Sequence, residues 1–208
     1  IDKEIIVIDD GSTNGTKEIL NNLQLRGTQP VCDGLGRYNL RIIFHEKNFG
    51  KGKAIQTGLK YATGDIVCIQ DADLEYAPEQ IPNLLSGFSN DTVDAVFGSR
   101  FLKPNPNLYK RYLWGNKFLT WLINFFYSAN YTDSYTGYKF IRREIFNKLD
   151  LKSTKFEIEA EISIKLKKIA ANVIELPISY SPRSIEEGKK ISFRDAIRGI
   201  ITIIKFLK

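Results

Sequence analysis

Short apolar runs alternate along this chain with stretches whose apolar side chains recur every three or four residues. Ile5 to Ile8, Leu40 to Phe44, Ile66 to Ile69, Val93 to Phe97 and Val173 to Ile178 are too short for helices and read as buried strands. Helical spacing follows Thr16 (Ile19, Leu20, Leu23), with Ser12 or Thr13 as the cap. Further helices are predicted from the Gly50 turn to about Ala62, from Pro78 to Leu85, over Lys110 to Tyr127, over Phe156 to Ile169, and from about Ser192 onward. Residues 25–39, with Gly27, Pro30, Gly34 and Gly36, read as a surface loop. Up to Phe97 the order is βαβαβαβ, which predicts an α/β fold with a mostly parallel central sheet flanked by helices.

In such sheets ligands collect beyond the carboxyl ends of the strands. Acidic residues fall there twice. Asp71-Ala72-Asp73-Leu74-Glu75 follows the run at Ile66, and two carboxylates one residue apart on extended chain point the same way. They suit Mg²⁺ or Mn²⁺, hard cations that take few protein oxygens and fill their shell with water and substrate phosphates. Asp9-Asp10-Gly11-Ser12 ends the first run; it serves equally as turn chemistry with a cap or as a ligand contact. Asn48-Phe49-Gly50-Lys51-Gly52 opens a helix without the spacing of a P-loop. Its glycines permit close backbone approach, and Lys51 is either a phosphate contact or a solvated lysine.

The stretch 110–127 carries Tyr112, Trp114, Phe118, Trp121, Phe125, Phe126 and Tyr127 around much of its circumference, as a core helix or as one that also touches lipid. In the last helix, Lys190, Arg194, Arg198 and Lys205 lie near one face, and Phe193, Ile197, Ile200, Ile204 and Leu207 on another. That pattern fits an interfacial membrane helix, or a helix packed on the core with a solvated basic face.

Composition narrows the chemistry. The 208 residues are enough for one domain with a large core, 43% apolar and 26% charged, with a net charge of +6 that favours anionic partners. His45 is the only histidine, which argues against a histidine-based triad or metal cage. Two cysteines, Cys32 and Cys68, form no disulfide framework and fit a reducing compartment. No apolar run reaches the ~18 residues of a membrane span. The aromatics cluster in one helix rather than interleaving with basic residues, which places nucleic acid last among anionic partners.

Taken in order, Asp9 to Ser12, Asn48 to Gly52, Gly64-Asp65, Asp71 to Asp73, Gly98-Ser99-Arg100, Asp133 to Tyr138 and Pro177 to Ile191 resemble the family-2 glycosyltransferases of the GT-A fold. The likeness is strongest to the polyprenyl-phosphate sugar transferases of the dolichol-phosphate mannose or glucose synthase type. It implies a catalytic domain over 1–190 and a C-terminal amphipathic helix over 191–208. It implies donor contacts at Asp9, Asp10, Lys51, Asp71 and Asp73, with a divalent cation held by Asp71, Asp73 and Glu75. Arg100, Arg111, Arg183, Lys189 and Lys190 become the candidates for acceptor phosphate or donor diphosphate, and Asp73, Asp133 and Arg100 the candidate catalytic residues. Relatives of this type begin with an apolar strand and a Tyr-Asn-Glu turn well ahead of the Asp-Asp-Gly-Ser motif, so a central strand is expected to be missing here. Some carry C-terminal transmembrane helices; this chain is expected to dock peripherally at the cytoplasmic face of a membrane.

The implied activity is inverting transfer of a hexose from a nucleotide-diphosphate sugar, of the GDP-mannose or UDP-glucose type, to a polyprenyl phosphate. Two alternatives stand beside it: a soluble transferase using a glycan or protein hydroxyl with Asp133 as base, and a catalytically silent membrane-binding module. A phosphate acceptor is already ionised near neutral pH and needs no strong base, whereas a hydroxyl does. Asp133 is therefore either that base or a turn residue ahead of Gly137.

Overall fold

The first apolar run becomes β1 (Lys3–Asp9), which pairs in parallel with β3 (Gly36–Phe44), Asp9 lying opposite Phe44. The computed structural model describes residues 2–26, 31–33, 36–105, 110–183 and 193–207. On the other side of β3 lies β2 (Val31–Asp33), antiparallel to it. The predicted surface loop over 25–39 thus contains strand: Val31–Asp33 and the start of β3 at Gly36 pair antiparallel, Asp33 opposite Gly36. Between β1 and β3 runs α1 (Thr16–Arg26), and α2 (Lys51–Leu59) packs on β1. These elements, with Lys152–Phe156, form the first of two compact units, Ile1–Asp65 and Lys152–Phe156.

The second unit, Ile66–Leu151 with Glu157–Lys208, is built on a four-stranded sheet. Its strands are β4 (Ile66–Cys68), β5 (Ala95–Ser99), β6 (Lys139–Arg142) and β7 (Val173–Pro177), in the order β4-β6-β5-β7. The longer ladder, β5 with β7, is parallel. β6 enters between β4 and β5 running antiparallel to both. Its direction is not written in its residues; it follows from a connection that returns without crossing over.

The helices of this unit are α3 (Ile81–Leu85), entered through a 3-10 turn at Pro78–Gln80, α4 (Lys110–Tyr127), α5 (Arg143–Lys148), α6 (Ile158–Lys168) and α7 (Phe193–Lys205). One cluster of its core is Tyr76, Leu84, Phe88, Val93, Val96, Tyr138, Phe140, Ile178 and Tyr180. Each such side chain contributes about 1.5–3 kcal/mol on leaving water.

Side chains alternate along β6. Tyr138 and Phe140 join that core, and Lys139 points the other way and is fully buried. Its ammonium is ion-paired with Glu159 of α6, donates to the Thr136 carbonyl and lies 5.0 Å from the centre of the Phe97 ring. Two residues along α6, the buried Glu161 pairs with Lys165 at 2.6 Å.

α7 packs against α4 and α6 within the second unit. Gly199, Thr202 and Ile203 are buried, and the Tyr127 hydroxyl donates to the Ile203 carbonyl at 2.6 Å. Ile197, Ile201, Ile204 and Leu207 are exposed. The helix is thus both packed and apolar on its outer side. The packing on α4 and α6 is what the core-packed reading of this helix expects.

Gly199 is required by packing: a Cβ there would stand 2.3 Å from the Tyr135 hydroxyl. Gly199→Ala is expected to destabilise the chain by about 1–3 kcal/mol through overpacking. In a Tyr135→Phe background the clash is gone, and the same substitution should stabilise by up to about 1 kcal/mol through helix propensity. Denaturant melts of the four chains check the change of sign.

Candidate active site

The acidic stretch leaves β4 and turns at once. Asp73 Oδ1 accepts the Glu75 N–H at 3.1 Å, an Asx-type turn. Leu74, between them, has a φ of 62°, the left-handed region that side chains other than glycine seldom adopt, and its own side chain is 88% exposed. The turn sends Glu75 inward. Its carboxylate accepts the Tyr180 hydroxyl at 2.5 Å on Oε2 and the Arg183 N–H at 3.0 Å on Oε1. The Arg183 guanidinium closes the ring, with Nη2 2.9 Å from Asp73 Oδ2 and Nε 3.6 Å from Glu75 Oε1. Burial pushes the Asp73 carboxyl above its ordinary range. The Glu75 N–H and the Arg183 charge oppose that shift, and the carboxylates of Asp71 and Glu75 reinforce it.

The residues behind the turn hold it in place. The Tyr76 hydroxyl accepts the Gly137 N–H at 3.0 Å, and the Tyr138 hydroxyl donates to Gln70 Oε1 at 2.7 Å. Burial pushes the Tyr76 hydroxyl up to about 12. The Cys68 thiol is pushed up by burial and by Asp71, which removes it as a nucleophile.

A second charged group adjoins the first through Tyr180, whose ring lies 5.2 Å from the Arg100 guanidinium. Arg100, at the end of β5, grips Asp133 with two teeth: Nε to Oδ2 and Nη2 to Oδ1, each at 2.7 Å, with the Arg100 N–H adding 3.1 Å to Oδ2. Asp133 is fully buried and Arg100 is 6% exposed. Burial alone would lower the Arg100 pKa, but the Asp133 carboxylate outweighs it and holds the guanidinium charged. The Asp133 loop is itself fixed from β7, where Glu175 accepts the N–H groups of Thr132 at 2.6 Å and Asp133 at 2.9 Å. Burial raises the Glu175 carboxyl against the pull of those two N–H groups.

The structure therefore brings together Asp73, Glu75 and Arg183, and joins Arg100 to Asp133, all in the second unit. Tyr180 and Glu175 went unread in the sequence, being a tyrosine near a strand end and a lone acid within an apolar run. Lys189 and Lys190 lie outside the described residues. Arg111 lies in α4 at a position whose side chain is likewise outside the description. The donor chemistry of Asp71, Asp73 and Glu75 suits a hard divalent cation. Among the described residues no three carboxylates or imidazoles form a ready cage, so substrate oxygens would have to complete the shell.

In the first unit Asp10 is committed to structure. Its Oδ1 lies 2.7 Å from His45 Nδ1 and accepts the Phe49 N–H at 3.0 Å; its Oδ2 accepts the Gly50 N–H at 2.7 Å. His45 Nε2 is 2.9 Å from the Thr57 hydroxyl. Asp9, 5% exposed, accepts the Ser12 N–H at 3.1 Å. The glycines of the turn answer to packing. Gly50 has a φ of 101°, and a Cβ on Gly52 would stand 2.3 Å from the Ser153 carbonyl. Lys51 begins α2 and is half-buried.

Comparison with known proteins agrees on one class, the glycosyltransferases. Residues 1–150 match the family described as Glycosyl transferase family 2, and the chain belongs to that family. A dolichol-phosphate mannosyltransferase of Pyrococcus furiosus is 29% identical over 190 residues, covering 89% of this chain and 50% of that protein. A UDP-N-acetylglucosamine–dolichyl-phosphate N-acetylglucosaminyltransferase of Methanococcus voltae is 32% identical over 201 residues, covering 90% of this chain and 79% of that one. Among solved structures, glucosyl-3-phosphoglycerate synthase of Mycobacterium tuberculosis shares the fold with a TM-score of 0.64 at 17% identity, covering 97% of this chain and 68% of that one. The mannosyltransferase PcManGT of Pyrobaculum calidifontis, in complex with GDP-Man and Mn²⁺, gives 0.51 at 21% identity, over 84% of this chain and 45% of that one. The chain spans half the length of the Pyrococcus furiosus relative. Its fold is the GT-A fold expected from the sequence.

The bonds on Asp10 make a pH prediction. Burial raises its carboxyl, but the hydrogen bond from His45 and those from Phe49 and Gly50 override this and hold it below the ordinary range. A depressed folded value contributes stability that is complete above the unfolded pKa, about 3.9, and lost as pH falls through the folded one. Asp10→Asn should therefore lower the melting temperature at neutral pH. The gap from wild type should close as both are acidified below about pH 4.

Proposed function

We propose that this chain transfers a hexose, with inversion, from a nucleotide-diphosphate sugar to a polyprenyl phosphate at a membrane surface. The observation that carries the reading is the two-toothed Arg100–Asp133 pair. With both oxygens taken by a guanidinium, Asp133 is poorly placed to accept a proton from a hydroxyl. An acceptor that arrives ionised needs no base, and a charged arginine beside Tyr180 suits a phosphate. The names of the relatives from Pyrococcus furiosus and Methanococcus voltae, both acting on dolichol or dolichyl phosphate, support the same acceptor class.

Asp71, Asp73 and Glu75 would hold Mg²⁺ or Mn²⁺, which when bound would neutralise charge on the departing nucleoside diphosphate. Arg183, with Arg111, Lys189 and Lys190, would add positive charge for the phosphates. Asp10 would act by holding the Gly50 turn in shape.

The membrane part of the reading draws on α4 and α7. Trp114, Phe118, Trp121 and Phe125 recur every three or four residues along one side of α4 and are at least half exposed, while Leu119, Thr120 and Ile123 on its other side are buried. Lys117, Arg194, Arg198 and Lys205 supply basic charge on the same two helices. Aromatic side chains with nearby lysine and arginine are the chemistry of an anionic lipid interface. No helix among the described residues is long and apolar enough to cross a membrane.

Two experiments test this. With a short polyprenyl phosphate and a panel of GDP- and UDP-sugars, Asp73→Asn should cut turnover by at least ~100-fold, the scale of removing transition-state charge stabilisation. Asp133→Asn should mainly raise the acceptor KM and leave the shape of the kcat–pH profile intact. Loss of a titrating limb with an unchanged KM would instead establish a base and a hydroxyl acceptor. Separately, Trp114 and Trp121 are the chain's two tryptophans, 70% and 55% exposed. Their emission should shift to the blue on adding vesicles rich in anionic lipid, and Trp121→Ser with Phe125→Ser should weaken co-flotation. No shift and no flotation would remove the membrane from the proposal.

A further inference from the structure

Asp73 and Glu75 are offered to a cation, yet the positive charge beside them belongs to the chain. The Arg183 guanidinium sits 2.9 Å from Asp73 Oδ2 and 3.6 Å from Glu75 Oε1. A divalent ion bound at the same oxygens would stand close to the guanidinium and be repelled by its like charge. Arg183 and a bare divalent cation therefore compete for these carboxylates.

The surroundings allow Arg183 to yield without unravelling the site. Its backbone is pinned independently of its side chain, through its own N–H to Glu75 Oε1 and through the Ser181 N–H to the Glu75 carbonyl at 3.1 Å. Its side chain is 36% exposed, so rotation into solvent or onto an incoming anion is open. Arg100 differs on each count: its side chain is 7% exposed and fixed to Asp133 by two bonds. One arginine is built to stay and the other to leave.

We propose that Arg183 is the resident counter-charge of the acidic turn. It keeps a lone cation off Asp73 and Glu75, and gives way when the cation comes with a nucleoside diphosphate whose oxygens can receive the displaced guanidinium. The inference rests on the reading that this turn binds a nucleotide diphosphate with a divalent cation. Linkage then requires cation and nucleotide to strengthen each other's binding, with Arg183 as the source of part of that coupling.

The test is Mn²⁺ binding by electron paramagnetic resonance on the full chain, with and without UDP or GDP, in parallel with thermal melts. Wild type should bind Mn²⁺ weakly alone and at least ~10-fold more tightly with the matching nucleotide. Arg183→Gln should bind Mn²⁺ alone at least ~10-fold more tightly than wild type and gain less from nucleotide, and Arg183→Lys should exclude the lone ion as wild type does. If Arg183→Gln melts like wild type but binds lone Mn²⁺ no more tightly, the inference is overturned while nucleotide-assisted Mn²⁺ binding by wild type leaves the donor-site reading standing. If Arg183→Lys binds lone Mn²⁺ as tightly as Arg183→Gln, charge is not the cause and the inference is again overturned. If neither wild type nor either variant binds Mn²⁺ with any nucleotide, the donor-site reading falls and the inference with it.

Discussion

A charge removed from water has to be met by an opposite charge held in good geometry, and the second unit is arranged around that requirement. Arg100 and Asp133 are both buried, and removing either alone would strand the other at a cost of about 3–5 kcal/mol. Their meeting depends on the sheet. Arg100 follows the last residue of β5, and Glu175, which holds the Asp133 loop, stands opposite Phe97 in the parallel ladder of β5 with β7. The register of two adjacent strands therefore sets the distance between a guanidinium and a carboxylate far apart in sequence. Lys139 and Glu159 repeat the arrangement between β6 and α6.

From that pair the rest of the site extends by contact. Tyr180 lies under Arg100 and bonds Glu75; Glu75 holds the backbone of Arg183; Arg183 reaches Asp73. Asp133 and Arg100 are thereby parts of one connected scaffold with the acidic turn.

Much of this was legible in the residues. Apolar runs located β1, β4, β5 and β7 within a residue or two, because short runs of β-branched and other apolar residues bounded by polar turns suit strands, even though only β5 is buried along its whole length. The acidic turn after β4 and the family resemblance were equally plain. What stayed hidden depends on contacts distant in sequence. Nothing in Lys139-Phe140-Ile141 states that β6 runs against its neighbours, or that its lysine is buried against an acid on a helix. Tyr180 and Glu175 belong to no local pattern; their roles appear only when β7 is laid beside β5. The glycines at 50 and 52 show a different failure. Ligand approach and close backbone packing demand the same missing side chain, and only the Ser153 and Thr154 carbonyls show that packing already requires it here. The sequences of α4 and α7 do not say which side of each helix packs: one side is buried against the unit and the other is exposed and apolar.

Leu74 has an implication of its own. A leucine held in left-handed backbone stores roughly 1–2 kcal/mol that a glycine would not. Exchanging it for glycine would make the folded chain more robust toward heat while slackening the hinge that aims its two acidic neighbours. Thermostability and sharp aim pull in opposite directions at this one peptide, so a search for hardier variants of the protein would be drawn to the position where hardiness does the most harm.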